Sequence, residues 1–305
     1  MRVAWQKYGD YRSKKAIQKY GIDNHTMYES VQYTLRNEIP IAGRRWRGQP
    51  NIEYLGPLVE RTKRDAEQAE KTGQLSGAKA WAWLYTLVAQ APRAALAQVQ
   101  MDKHPHGCKA RGERLYELID FNDAFVSTVL ALPENELPKF TTEVRRLIDW
   151  FCKRVGVHSF SDEQFTAIVH GLEREIAVFL GAQTEGFKAQ MTNRASDAMG
   201  IDMILTDPLT LKTVNIDCKA PSAYRHRIYD LLREGRLREE EVTAAEMLGF
   251  IGELNGHGNQ RVKVVLWRID RDRYGEITNF AFADTTELGK TARTIIQTYG
   301  EEIRE

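Results

Sequence analysis

Apolar residues recur at helical spacing through the first half of the chain. This spacing predicts helices over three segments, which are 53–71, 113–132 and 141–156. A longer apolar segment, 78–100, is interrupted by Pro92, which favours a pair of buried helices with a break at the proline. Residues 1–50 show no clear period, and we expect them to be irregular or weakly helical. Residues 1–156 are therefore predicted to form a mainly helical region.

After residue 156 the pattern changes to short elements of mixed type. Ser161 and Gln164 form a capping-box signature ahead of a helix that is predicted to end near Gly181. Strands are predicted over 186–191, 200–206, 213–220, 261–269 and 276–283, and helices over 222–237, 243–256 and 286–299. The Asp207-Pro208 pair has turn chemistry, so the second and third strands are predicted to form an antiparallel hairpin. The order predicts an α/β (α+β) domain with a mixed sheet over residues 157–305.

Composition narrows the class of protein. The 305 residues are 42% hydrophobic and 28% charged, with a formal net charge of +1, as in globular proteins. The three cysteines are widely spaced and odd in number, which argues against a disulfide framework and favours a reducing compartment. The N-terminus is polar and basic without an apolar core, and charges interrupt the most apolar segment. We expect a cytoplasmic protein with no membrane association.

Positive charge is concentrated near the N-terminus. Residues 1–50 hold ten Lys or Arg against four acids, interleaved with seven aromatic residues. Basic side chains neutralise phosphates and aromatic rings stack on unpaired bases, so this composition is typical of nucleic-acid binding. A solvated basic surface with a few packing aromatics is an equally good interpretation. The residues predicted to contact nucleic acid are Lys14, Lys15, Arg44, Arg45, Trp46, Arg47 and Arg194.

Acidic residues interrupt the two strands of the predicted hairpin. Asp217 and Lys219 share one face of the strand over 213–220, and Asp202 lies in the strand before it. Buried charges are costly unless they are paired or bind a metal. On the preceding helix, Glu173 lies on the shoulder of the apolar stripe and Glu175 on its far edge, so Glu173 is predicted to reach inward. Three carboxylates and a lysine are what a hydrolytic Mg²⁺ site needs.

Asp202, fourteen intervening residues and then Asp217-Cys218-Lys219 resemble the motif of the PD-(D/E)XK nuclease superfamily. The similarity covers residues 160–270 and includes the acidic residue on the preceding helix. Two positions depart from the commoner pattern, since Ile201 replaces proline and the second acid is Asp instead of Glu.

The resemblance implies a restriction-endonuclease-like domain, with a central mixed sheet flanked by helices. It implies that Asp202, Asp217 and the backbone carbonyl of Cys218 bind Mg²⁺, with Mn²⁺ as a substitute, and that Glu173 adds a ligand. It also implies that Lys219 positions or activates the attacking water. The expected function is therefore phosphodiester hydrolysis by a DNA endonuclease of restriction, repair or mobile-element type, with DNA preferred to RNA and a homodimer compatible with cutting both strands.

Three other interpretations use the same residues. Asp217 and Lys219 could form an exposed ion pair on a surface hairpin, where such pairs contribute about 0–1 kcal/mol. The nuclease-like fold could bind nucleic acid without cleaving it. The chain could also be an interaction scaffold with no role on nucleic acid.

Overall fold

The computed structural model describes residues 26–45, 55–72, 76–103, 116–192, 196–197, 199–255 and 261–302. Contacts divide the chain into two compact units, Met1–Thr166 and Ala167–Glu305. The boundary predicted between residues 156 and 157 precedes a long helix, whereas the division between the compact units falls inside that helix.

The first unit is built from helices. They are α1 (Met27–Arg45), α2 (Leu55–Lys71), α3 (Ser76–Asp102), α4 (Tyr116–Ala131) and α5 (Leu137–Val155), with a 3₁₀ turn at Glu134–Glu136. Helix α3 contacts α1, α2, α4 and α5 and is buried on every side over 80–92. A helix surrounded by others can be apolar all round, which explains its composition. In the described part of the chain, no helix combines the length and the apolar character that crossing a bilayer requires.

Two expectations for this unit are wrong. Helix α3 continues through Pro92 instead of breaking there, because packing on all sides compensates for the hydrogen bond that proline cannot donate. A regular helix, α1, occupies 27–45, where the sequence suggested at most weak helicity. Its signal is a capping box, in which the Thr26 amide donates to Glu29 Oε2 at 2.8 Å and the Glu29 amide donates to Thr26 Oγ1 at 3.2 Å.

The second unit is a mixed sheet flanked by helices, as the sequence predicted. Helix α6 (Asp162–Thr184) crosses into it from the first unit. The strands are β1 (Lys188–Met191), β2 (Met203–Thr206), β3 (Lys212–Lys219), β4 (Phe250–Asn255), β5 (Val262–Arg268) and β8 (Glu301–Glu302), with a separate pair, β6 (Ile277–Thr278) and β7 (Ala281–Phe282). The sheet order is β1-β2-β3-β5-β4, with β8 beside the start of β3. The β3–β5 pair is parallel and the other pairs are antiparallel.

Helices cover both faces of this sheet. They are α7 (Pro221–Arg233), α8 (Glu239–Leu248), the short α9 (Arg271–Tyr274) and α10 (Thr286–Tyr299), together with α6. Helices α6 and α10 pack with Ile216 and Val265 on one face, and α7 and α8 pack with Leu266 on the other. The central strands β3 and β5 are therefore covered by helices on both faces.

Two elements of this unit differ from the prediction. The segment 243–256 was predicted as one helix, but α8 ends at Leu248, Gly249 follows with φ 78°, and Phe250 begins the edge strand β4. The predicted strand 276–283 is a small hairpin, because Asn279 and Phe280 turn the chain with φ 51° and 65°.

Candidate active site

The β2–β3 hairpin is set by its turn. The side chain of Asp207 accepts from the Leu209 amide at 2.9 Å and from Thr210 Oγ1 at 2.9 Å, and its amide donates to the Lys212 carbonyl at 3.0 Å. This Asx-type turn fixes the register in which Met203 pairs with Ile216. The predicted antiparallel hairpin is confirmed.

The same register brings Asp202 beside the end of β3. Its amide donates to the Ile216 carbonyl at 2.8 Å, and its Oδ2 accepts from the Cys218 amide at 2.7 Å. The carboxylate therefore replaces a backbone acceptor at the point where the ladder opens. Asp202 is held against the strand that carries Asp217 and Lys219.

Asp217 and Lys219 project from one face of β3, as strand alternation predicts. Asp217 is completely buried, whereas the side chain of Lys219 is 28% exposed. Lys219 Nζ donates a hydrogen bond to Asp217 Oδ1. Asp217 Oδ2 is buried and receives no hydrogen bond in the structure. An ion pair exposed on a surface hairpin is contradicted by this burial.

Negative charge accumulates around the pair. Burial raises the pKa of Asp202 well above its ordinary value, and the carboxylates of Glu175 and Asp217 raise it further, while Lys219 and the Cys218 amide oppose the shift. The pKa of Lys219 is lowered by burial, but the same three carboxylates outweigh that effect and raise it overall. Lys219 is therefore protonated at neutral pH.

Cys218 remains a thiol in this environment. Burial raises the pKa of its side chain well above the ordinary value, and the surrounding carboxylates add to the shift. A thiolate, not a thiol, is the reactive nucleophile. The side chain of Cys218 packs in the apolar cluster that contains Ile216 and Trp267. Its backbone, rather than its sulfur, faces the acidic site through the bond to Asp202.

The glutamate that approaches this site is Glu175, and the choice of Glu173 as the inward-reaching acid needs correction. Glu175 interacts electrostatically with Asp202, Cys218 and Lys219. Glu173 instead has His170 and Arg174 as its charged neighbours, and burial raises its pKa. The buried face of α6 is wider than the apolar stripe that the sequence indicates. The position of a glutamate beside that stripe therefore does not show whether Glu173 or Glu175 reaches the site. A role for Glu173 as a metal ligand stays a prediction that its surroundings do not support.

The oxygen atoms present suit a hard divalent cation. No group of three His, Cys, Asp or Glu side chains in the described residues is arranged as a metal site. Mg²⁺, however, is commonly held by one or two carboxylates, with water and phosphate oxygens completing its shell. Asp217 Oδ2 is a buried acceptor without a donor, adjacent to a second carboxylate whose ionisation is disfavoured. A cation would satisfy that acceptor and neutralise the charge, so these residues fit Mg²⁺ or Mn²⁺.

The predicted nucleic-acid contacts are mostly beyond the described residues. Arg44 and Arg45 belong to the last turn of α1, and nothing is described of their side chains. The remaining predicted contacts, Lys14, Lys15, Trp46, Arg47 and Arg194, lie outside the described residues.

Comparison of the chain with protein-family models, with characterised proteins and with solved structures gives no significant match.

Proposed function

We propose that residues 157–305 form a metal-dependent nuclease of the PD-(D/E)XK type, which hydrolyses phosphodiester bonds in DNA. One observation carries the proposal. The hairpin brings Asp202 to β3 beside a buried Asp217 that has an unsatisfied oxygen and a lysine partner. Strongly perturbed ionisable groups that cluster in this way are typical of functional sites.

The topology supports the same proposal. A helix, an antiparallel hairpin, a second helix and a strand parallel to the hairpin's last strand follow one another as α6, β2–β3, α7 and β5. This is the arrangement that the motif resemblance implies for a restriction-endonuclease-like domain. Strand β4, inserted between α8 and β5, extends the sheet at its edge.

Each residue would have a distinct role in hydrolysis. Asp202, Asp217 and the backbone carbonyl of Cys218 would hold the cation, with Glu175 adding negative charge from α6. When bound, Mg²⁺ supplies Lewis-acid polarisation of the phosphate and lowers the pKa of a bound water. Lys219 is protonated, so it acts as a hydrogen-bond donor rather than as a general base. Its ammonium orients the attacking water and offsets charge that develops on the phosphate in the transition state.

The basic and aromatic segment over residues 1–50 would bind the substrate. Lys and Arg side chains neutralise the backbone phosphates, and aromatic rings stack on bases. DNA affinity should therefore fall steeply as salt is raised. Neutralising Arg44, Arg45 and Arg47 together should weaken DNA binding and flatten this salt dependence, whereas unchanged affinity would remove the segment from the proposal.

The test of the proposal is cleavage of plasmid and single-stranded DNA in Mg²⁺ by purified protein. Replacing Asp217 or Lys219 with Ala should lower the cleavage rate by about 10²–10³-fold or more. Lys212→Ala, at the opposite end of β3, is the matched control and should cleave normally. Wild-type rates in the Asp217 and Lys219 variants would contradict the assignment.

The test also separates the other interpretations. Salt-dependent DNA binding without cleavage by the wild-type protein would indicate a non-catalytic binding protein. Negligible binding at both low and moderate salt would indicate a scaffold.

A further inference from the structure

A cleft of about 310 Å³ opens at the carboxyl ends of the parallel strands β3 and β5. One turn of α6 forms a wall of this cleft, contributing His170, Glu173 and Arg174. Pro221, Ile269 and Phe282 are among the residues on the other sides. In open α/β sheets, ligands bind outside the carboxyl ends of the strands, so the position itself favours binding.

The cleft is adjacent to the candidate active site. The Ile269 amide donates to the Lys219 carbonyl at 2.8 Å, and Pro221 follows Lys219 by two residues. Helix α6 serves both places, because Glu175 interacts with Asp202 while Glu173 lines the cleft. A nucleotide whose phosphate lies at Lys219 would therefore extend directly into this cleft.

The lining suits a neutral ring better than a phosphate. Ile269 and Phe282 are almost fully buried and provide an apolar base. Arg271 is paired with Glu276 at 2.6 Å, so this cation is already neutralised. An anion entering the cleft would meet three carboxylates and two arginines, whereas a planar base would cover the apolar surface.

Glu173 is the acceptor that the cleft offers to such a ring. No described residue donates a hydrogen bond to the Glu173 carboxylate, although His170 and Arg174 interact with it electrostatically. Asp270, the other acid on this side, is already used, because its oxygens accept from Arg268 Nε and from the Arg273 amide at 2.9 Å each. A carboxylate accepts hydrogen bonds from the amino groups of bases, as it does from the N4 amino group of cytosine.

We propose that this cleft binds the base of the nucleotide next to the scissile phosphate and selects bases that carry an exocyclic amino group, through Glu173. The inference rests on the proposed nuclease function and adds the form of its substrate. A cleft of about 310 Å³ is at the lower end of the roughly 300–1,000 Å³ found for small-ligand sites. It admits one unpaired nucleotide and not a base pair, so the substrate is single-stranded or has the base turned out of the helix.

The experiment measures binding, so that it does not depend on cleavage. The 305-residue chain carrying Asp217→Asn, which keeps the cleft, is titrated with dAMP, dCMP, dGMP and dTMP, and binding is followed by saturation-transfer NMR. The three amino-bearing nucleotides should bind at least about tenfold more tightly than dTMP, because thymine offers the carboxylate only its N3–H, between two carbonyl oxygens that repel it. Glu173→Gln, added to the same background, should reduce this difference to about twofold because an amide can also donate to thymine. Glu240→Gln, an exposed acid on α8, is the matched control and should preserve it.

The outcomes separate this inference from the nuclease proposal. Selective binding that Glu173→Gln removes supports the base site, even if no cleavage is ever found. Equal binding of all four nucleotides, no saturable binding of any, or selectivity that survives Glu173→Gln would overturn it. DNA cleavage that depends on Asp217 and Lys219 would then stand alone. Circular dichroism of each variant confirms that the chain is folded.

Discussion

Glu253 and Asp217 are both buried carboxylates of the second unit, and their surroundings differ. Glu253 on β4 is 6% exposed, and Arg227 donates to its Oε2 through two nitrogens, with Arg236 at 3.6 Å. Asp217 on β3 is fully buried and, as in Glu253, only one of its oxygens accepts a hydrogen bond, but its cation is a single lysine. Asp202 and Glu175 add further negative charge beside Asp217 and Lys219.

The difference indicates which carboxylate stabilises the fold and which awaits a ligand. Two arginines face Glu253, so its charge is compensated within the chain. Around Asp217 three carboxylates share one ammonium, and burial makes their mutual repulsion more costly. A divalent cation would correct that imbalance. The sequence alone singled out Asp217 through its motif, but it placed Glu253 in a predicted helix and gave no sign of its arginine partners.

The largest expected effect on stability distinguishes the two sites. Glu253→Gln leaves Arg227 without its main partner and should lower the free energy of unfolding by about 3 kcal/mol. Asp217→Asn removes one of three crowded carboxylates and should leave the free energy of unfolding unchanged or raise it in metal-free buffer. Urea denaturation of both variants measures the difference.

DNA cleavage should rank the same two variants in the reverse order, with Asp217→Asn the more strongly affected. Asp217→Asn should abolish cleavage, whereas folded Glu253→Gln should cleave like the wild type below its unfolding temperature. If Asp217→Asn is the more destabilised of the two, the pair on β3 is a structural ion pair and the contrast fails.

A smaller effect separates the two glutamates of α6. Glu175→Gln should weaken Mg²⁺ binding by about 10–100-fold, the range for groups that tune a metal from just outside its ligand shell. Glu173→Gln is the matched control and should change the Mg²⁺ dissociation constant by less than about threefold, since its charged neighbours are His170 and Arg174. Isothermal titration with Mg²⁺ gives both values. A larger loss from Glu173→Gln would restore the assignment made from the sequence.

The smallest effect is a dependence on pH. The folded-state pKa of Asp202 is raised above the ordinary 3.8 by burial and by Glu175 and Asp217, against Lys219 and the Cys218 amide. The folded protein therefore retains a proton that the unfolded chain has lost, and metal-free stability falls as pH rises from 3.8 through the raised pKa.

Metal binding must displace that proton. Mn²⁺ affinity should rise with pH by up to about tenfold per unit until the raised pKa of Asp202 is passed. Thermal shifts produced by Mn²⁺ at several pH values would measure this rise. A shift that is independent of pH in the wild type, or equally dependent on pH in Asp202→Asn, would show that Asp202 does not control binding.

The hairpin and its charges were predictable because they follow from local rules. Asp207-Pro208 specifies a turn, the turn fixes the register, and strand alternation then places Asp217 and Lys219 on one face. Residues Ser161 and Gln164 likewise form the predicted capping box at the start of α6, with bonds of 2.8 and 3.1 Å.

Features that depend on tertiary packing were not predictable in the same way. Which glutamate of α6 approaches β3 depends on how the helix rolls against the sheet, and the apolar stripe is too wide to decide between Glu173 and Glu175. Pro92 remains helical because neighbouring helices enclose it. At Gly249 a local signal did exist, since a glycine with φ 78° commonly ends a helix, but the residues after it have no strong strand pattern.

The most direct measurement is a crystal structure of the protein soaked with Mn²⁺, read by anomalous scattering. We predict an anomalous peak in contact with Asp202, with Oδ2 of Asp217 and with the carbonyl of Cys218, and no such peak in Asp217→Asn. A structure in which Mn²⁺ binds elsewhere or not at all, while Asp217 keeps only its bond to Lys219, would contradict the metal-dependent nuclease proposed for this chain.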